Sequence, residues 1–160
     1  MVRALFEEAK HDVIVTSYVF SHCRELLAPL AEKMEHHSDF QVRFIVDLSH
    51  QRKSPEESLP IVANRFKAKF LADYWSGSRE PEFLHDPRVF IEKDKSLSGV
   101  MHAKVVIIDH EVALVTSANF TEAGQNRNIE AGVIVRQISQ VERLRSYFEG
   151  LIETRMLKQI

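Results

Sequence analysis

Two runs near the start of the chain, HDVIVTSYVF (11–20) and FQVRFIVDLS (40–49), are rich in β-branched and aromatic residues. The first reads as a buried strand and the second as the next strand. Between them, SHCRELLAPLAEKMEHH sets Leu27, Leu30, Ala31 and Met34 at helical spacing, with Pro29 expected to mark a start or a kink. Strand, helix and strand in this order make a βαβ unit, whose crossover should be right-handed and whose strands should be parallel neighbours. Such a unit needs helices to cover its sheet, which commits the chain to a layered α/β architecture.

The remainder is consistent with that frame. Residues 2–10 read as a helix, 49–60 as a surface loop, and 61–75 as a helix. In that helix Ile61 or Val62, Phe66, Phe70 and Tyr74 face inward, with Arg65 and Lys69 outside. SGSREPEFLHDP reads as a loop and RVFIEK as a short strand. AKVVIIDH and VALVTSA form a tight hairpin, followed by a short helix, the strand EAGVIVR and a closing helix. In the closing helix Ser139 and Glu142 have capping-box spacing, and Val141, Leu144, Phe148, Leu151 and Ile152 make the apolar face. At 160 residues, one domain spanning 1–160 is expected. The net charge of -2 carries no global basic excess, so any nucleic-acid surface must be local. Cys23 is the sole cysteine, which excludes an intramolecular disulfide and favours a reducing compartment. With no apolar run of membrane-spanning length and no secretory signal, a cytoplasmic protein without a membrane partner is expected.

One constellation carries chemistry. His102 and Lys104 stand in MHAKVVIID, read as a strand that puts both side chains on one face. Asp109 closes that run, Ser117 and Asn119 repeat the same spacing, and Glu130 follows in NIEAGVIV. A nitrogen nucleophile or base, a fixed cation, a hydroxyl and an amide are what gripping and attacking a phosphate requires. Chance would place six such residue types at such offsets roughly once in 10^7 start positions, so coincidence is set aside.

The arrangement His102-x-Lys104-x4-Asp109, then Ser117-x-Asn119 and Glu130, resembles the HKD motif of the phospholipase D superfamily, tightly over 102–135 and more loosely upstream through TSYVF and VDLS. The resemblance implies an α/β/α sandwich with a mixed sheet and helices on both faces. A short chain with one motif looks most like the bacterial phospholipase D-like endonucleases, which are homodimers. The segment TSANFTEAGQNRNIEAGVIV is also similar to nuclease domains of anti-phage and restriction systems, which implies defence-system partner proteins. The implied chemistry is attack on phosphorus by His102 to form a phosphohistidine. A second motif's histidine, here from another chain, protonates the leaving oxygen and activates water. Lys104 and Asn119 would hold the phosphate oxygens, with help from Ser117. Glu130 would accept a hydrogen bond from a histidine Nδ1, and Asp109 would serve either the chemistry or the following turn. No metal and no cofactor is implied, and nucleic acid is the expected substrate, DNA ahead of RNA. The alternatives are a phospholipid hydrolase or phosphatidyl transferase, and a truncated non-catalytic phosphate-binding module. Two departures stand out. Thr116 occupies the position where the family usually has glycine, and a strand that commonly precedes the first helix is missing, so a truncated start and an exposed sheet edge are expected.

Other polar residues read more plainly. His11, His22, His36, His37 and His110 are expected to be solvated, while His50 and His85 lie in loops that could border the site. Arg52, Lys53, Arg65, Lys67, Lys69 and Arg79 form either a solvated face or a phosphate-tracking surface, in which Arg65 and Lys69 are the substrate-binding candidates. Tyr18 and Phe20 stack on a substrate or pack in the core, and Trp75 anchors the end of its helix.

Overall fold

The computed structural model describes residues 1–54, 56–90 and 99–160. Helix α1 (Val2–Glu8) leads into strand β1 (Asp12–Ser17) and the two-residue β2 (Phe20–Ser21). Helix α2 (Arg24–His36), strand β3 (Gln41–Val46), helix α3 (Leu59–Tyr74) and strand β4 (Glu82–His85) follow. The hairpin of β5 (Val105–Ile108) and β6 (Val112–Thr116) precedes β7 (Phe120–Thr121), α4 (Glu122–Asn126), β8 (Gly132–Val135), α5 (Ile138–Glu153) and β9 (Lys158–Gln159). Seven strands form a mixed sheet in the order β8-β6-β5-β1-β3-β4-β9, and β2 and β7 make a separate parallel pair.

Strand β1 pairs parallel with β3, as the βαβ reading expects. Its residues alternate between two cores. Val13 and Val15 join Leu27, Leu30, Phe44, Phe70 and Phe83 on one side, and Ile14 joins Ile45, Val141 and Phe148 on the other. A strand buried on both faces has no polar side to show, which explains its unbroken apolar run. Helices α1, α2 and α3 cover the first face and α5 covers the second, giving the expected α/β/α sandwich.

Pro29 sits inside α2, neither starting nor ending it. Its missing N–H would leave the Glu25 carbonyl without its helical donor, and the Arg3 guanidinium supplies one at 2.6 Å. The three-residue connection of the β5–β6 hairpin holds Asp109 (φ 50) and His110 (φ 60) in the left-handed region, as the central pair of a type I′ turn demands, and the Glu111 amide donates to the Ile108 carbonyl at 2.9 Å.

Four readings require correction. EFLH within the expected loop is strand β4, because Phe83 and Leu84 are buried against opposite sheet faces. Where RVFIEK reads as a strand, Pro87–Phe90 is a 3-10 turn, its Arg88 amide held by Asp86 Oδ1 at 2.9 Å; residues 91–93 lie outside the described residues. Ser139 caps nothing, because α5 begins after Gln137 and has no side-chain cap. The chain end adds β9, antiparallel to β4, which no periodicity in two residues could signal.

The sheet edge at β8 is exposed and apolar: Val133 and Ile134 are 61% and 42% accessible, beside a fully exposed Ile129. Among the described residues no helix is long and apolar enough to cross a membrane.

Candidate active site

The sheet gathers some of the candidate residues at one end. Tyr18 follows the end of β1 and Asp47 the end of β3. The antiparallel β5 begins at the same level, so residues 101–104 lie beside them, and β6 ends there at Thr116, just before Ser117. Crevices beyond the carboxyl ends of parallel strands are where open α/β sheets bind ligands.

His102 and Lys104 stand just before β5 and not on it. The cause is Thr16, whose buried hydroxyl donates to the Ala103 carbonyl and accepts the Val105 amide, both at 3.0 Å, taking the place of ladder bonds. The two side chains meet nonetheless. Lys104 Nζ lies 3.1 Å from each ring nitrogen of His102 and donates to the His102 carbonyl at 2.7 Å. Lys104 is buried and His102 exposed above it. Burial pushes the Lys104 pKa below its ordinary value, while the Glu130 carboxylate pulls it up. A desolvated ammonium that touches an exposed imidazole is suited to receive an anion in the same place.

Ser117 and Glu130 close the outer side. The Ser117 hydroxyl donates to Glu130 Oε2 at 2.5 Å and accepts the Ala131 amide at 3.0 Å. Hydrogen bonds from Ser117 and Asn128, with Lys104 nearby, hold the Glu130 carboxyl below its ordinary pKa. Glu130 therefore spends its hydrogen bonds on Ser117 and Asn128, and within one chain it does not reach the histidine Nδ1 it was expected to orient. Asn119 lies half-buried, with Oδ1 3.5 Å from the Ser17 hydroxyl. Thr116 fits without left-handed backbone: it faces Gly132 across the β6–β8 ladder, and its hydroxyl accepts the Ala118 amide at 3.1 Å.

Asp109 is placed elsewhere. It sits beyond the opposite end of β5, where Oδ1 accepts the amides of His11 (2.7 Å) and Asp12 (2.8 Å) and Oδ2 that of Lys10 (2.6 Å). The motif aspartate thus ties the hairpin turn to the α1–β1 junction, and its carboxylate is spent on backbone.

The outer candidates divide. Tyr18 belongs to the cluster, its ring 5.1 Å from that of His102 and 5.7 Å from Lys104 Nζ. Arg65 instead clasps Glu57 and donates to the Gln51 carbonyl at 2.7 Å, and Lys69 pairs with Asp73 one turn on. Lys67 meets Glu80 at 3.0 Å, and Arg79 binds the carbonyls of His37 (2.8 Å) and Ser38 (3.0 Å). Each of these four cations has an oxygen partner within the chain. His85 is buried at the end of β4, where desolvation lowers its pKa. Phe20 and Trp75 are core residues, the latter donating from Nε1 to the Arg79 carbonyl at 2.8 Å.

Sequence reasoning missed Asp47. Its buried carboxylate accepts the Met101 amide at 2.8 Å, and so fixes the residue before His102. An aspartate closing the apolar run FQVRFIV was the available signal. On the far side, His102 borders a cavity of about 320 Å³ lined with Met101, Ala103, Tyr147, Leu151 and Met156. Among the described residues no group of three or more metal-ligating side chains occurs.

A mixed α/β sheet with a histidine–lysine pair at its ligand-binding end defines a protein equipped to handle phosphate esters. The sequence model described as cardiolipin synthase, PLD-like domain, matches residues 2–152, and the chain belongs to this phospholipase D-like family. Among solved structures it is similar to NucT from Helicobacter pylori, with TM-score 0.67 and 19% identity, covering 95% of this chain and 85% of that one. It is also similar to Nuc from Salmonella typhimurium, a phospholipase D family member, with TM-score 0.62 and 16% identity over 99% and 88% of the two chains. Phosphatidylserine synthase from Haemophilus influenzae Rd KW20 gives TM-score 0.67 and 19% identity over 99% of this chain but 36% of that one. No curated protein sequence matches the chain.

Proposed function

We propose that the protein is a metal-independent phosphodiesterase that cleaves nucleic acid, DNA ahead of RNA, through a phosphohistidine on His102. The observation that carries this reading is the exposed His102 ring resting on the buried Lys104 ammonium. The lysine places a phosphate against the imidazole and offsets charge that develops on the non-bridging oxygens, with Asn119 donating further. His102 attacks phosphorus as the P–O bond to the leaving group breaks. A proton goes to the departing oxygen, and water then cleaves the P–N bond.

That sequence needs a second acid–base group, and we infer that the His102 of a second copy supplies it across a two-fold axis. The exposed apolar edge of β8 supports this, since Val133 and Ile134, with Ile129 next to Glu130 in sequence, are suited to burial against a partner. Glu130 of each copy, while holding Ser117 and Asn128, keeps a lone pair on each carboxylate oxygen with which to accept from the other's histidine. Light scattering should report a dimer, and full activity in a monomer would refute shared sites.

A phospholipid reading has one observation in its favour, the cavity beside His102, where Tyr147, Leu151 and Met156 stand with the charged Asp86 and Arg88. One comparison separates the two: wild type and His102→Ala are incubated with plasmid, oligonucleotides, RNA and phospholipid vesicles in EDTA. Nucleic-acid cleavage by wild type alone is expected. Cleavage of lipid only, equal activity in the variant, or a requirement for added magnesium would overturn the proposal.

A further inference from the structure

Asp47 holds more than Met101. Its Oδ1 accepts the Ser49 amide at 2.8 Å and the Ser49 hydroxyl, and lies 3.3 Å from His50 Nδ1. One buried carboxylate therefore fixes two histidines, His50 through its ring and His102 through the preceding amide. Tyr18 lies between them, 4.9 Å from the His50 ring and 5.1 Å from the His102 ring. The imidazoles are thus no further apart than those two spans together, close enough for neighbouring phosphates of one strand to reach both rings. His50 keeps 34% of its side chain exposed. With Nδ1–H directed to Asp47, its Nε2 meets the Gln51 amide nitrogen at 2.9 Å, a contact an incoming ligand can replace. Arg52 and Lys53 follow in the same loop.

We propose that His50 is a second phosphate-binding residue, supplied by the same chain. As an imidazolium paired with Asp47, it donates Nε2–H to the phosphate next to the scissile one. The site would then select a polynucleotide over an isolated phosphodiester. This rests on the nucleic-acid reading above and sharpens it, because a lipid with one phosphate offers His50 nothing.

The test compares kcat/KM for an oligonucleotide of several phosphates with that for a dinucleoside monophosphate, which has one. His50→Ala should lower this ratio about tenfold through KM on the longer substrate, a charge-assisted hydrogen bond's worth, and His50→Lys should restore most of it. An equal fall on both substrates, or no change on either, overturns the proposal. A binding measurement separates its failure from that of the nuclease reading: in a His102→Ala background, fluorescence anisotropy with a labelled oligonucleotide should show about tenfold weaker binding when His50→Ala is added. If that loss appears while wild type cleaves nothing, the phosphate subsite stands and the nuclease reading falls. If wild type cleaves and the loss is absent, the reverse holds. Absence of any oligonucleotide binding removes both.

Discussion

Replacing Asp109 should cost stability and spare chemistry, although the residue belongs to the motif. Its carboxylate accepts three backbone amides, Lys10, His11 and Asp12, at 2.6, 2.7 and 2.8 Å. It is 9% exposed, and its φ of 50 suits aspartate better than most residues. Hydrogen bonds to charged groups contribute roughly 1.5–3 kcal/mol each, but water reaches the half-buried junction once the carboxylate is gone and recovers part of the loss. Asp109→Ala, which also places an unsuited residue in left-handed backbone, should therefore lose about 3 kcal/mol. For a chain of this size that lowers Tm by about 10 °C. Asp109→Asn retains an oxygen for His11 and Asp12 but turns an amide donor toward Lys10 N–H, so about 2 kcal/mol is expected. Urea unfolding at fixed pH measures both. Turnover of each variant, assayed well below its midpoint, should stay within about threefold of wild type, since the carboxylate lies at the far end of β5 from His102. A stability loss under about 1 kcal/mol, or a collapse of turnover in a folded variant, would refute the separation of roles.

Other expectations follow from the same contacts. Lys104→Ala should abolish phosphate-ester cleavage, and wild-type activity should decline on the alkaline side before the ordinary lysine pKa of 10.5, because burial lowers that of Lys104; a pH–rate profile flat to pH 10.5 would contradict this. Glu57 is held down to about 2 from 4.5 by its hydrogen bonds with Arg65 and the Lys53 amide. Its contribution is therefore fully present above 4.5 and disappears as pH falls toward 2, and Glu57→Gln should flatten acid unfolding in that window. Alanine at Arg65 and Lys69 should leave the salt dependence of nucleic-acid binding unchanged, since both are already paired with carboxylates; a reduced slope in filter binding would restore them to the interface. His110→Gly should raise stability by about 1 kcal/mol in thermal melts, because it removes a side chain from a φ of 60 in a type I′ turn.

Much of this molecule could be read before its structure. The run Val13 to Val15 read as a buried strand, because consecutive apolar β-branched residues leave neither face for water. The apolar stripe of α2 and the hairpin around Asp109 were equally clear, since local periodicity and short connections encode them. The close approach of His102 and Lys104 also followed from spacing, although Thr16, distant in sequence, is what holds that segment. EFLH escaped notice because prolines flank it and four residues are too few for a period to appear.

Residue types and their spacing determined by themselves that the chain would be a layered α/β protein with a phosphate-directed constellation. The tertiary structure decided which members of that constellation share a site. Asp109 and His102 are joined by one short strand, yet a strand carries its two ends apart, and the carboxylate is drawn to unpaired amides at the α1–β1 junction. Tyr18, Asp47 and His50 are remote from His102 in sequence, yet parallel pairing of β1 with β3 and antiparallel pairing of β1 with β5 bring their ends together. Register across a sheet is a property of strands that meet only on folding, and no local pattern records which strand ends will be neighbours.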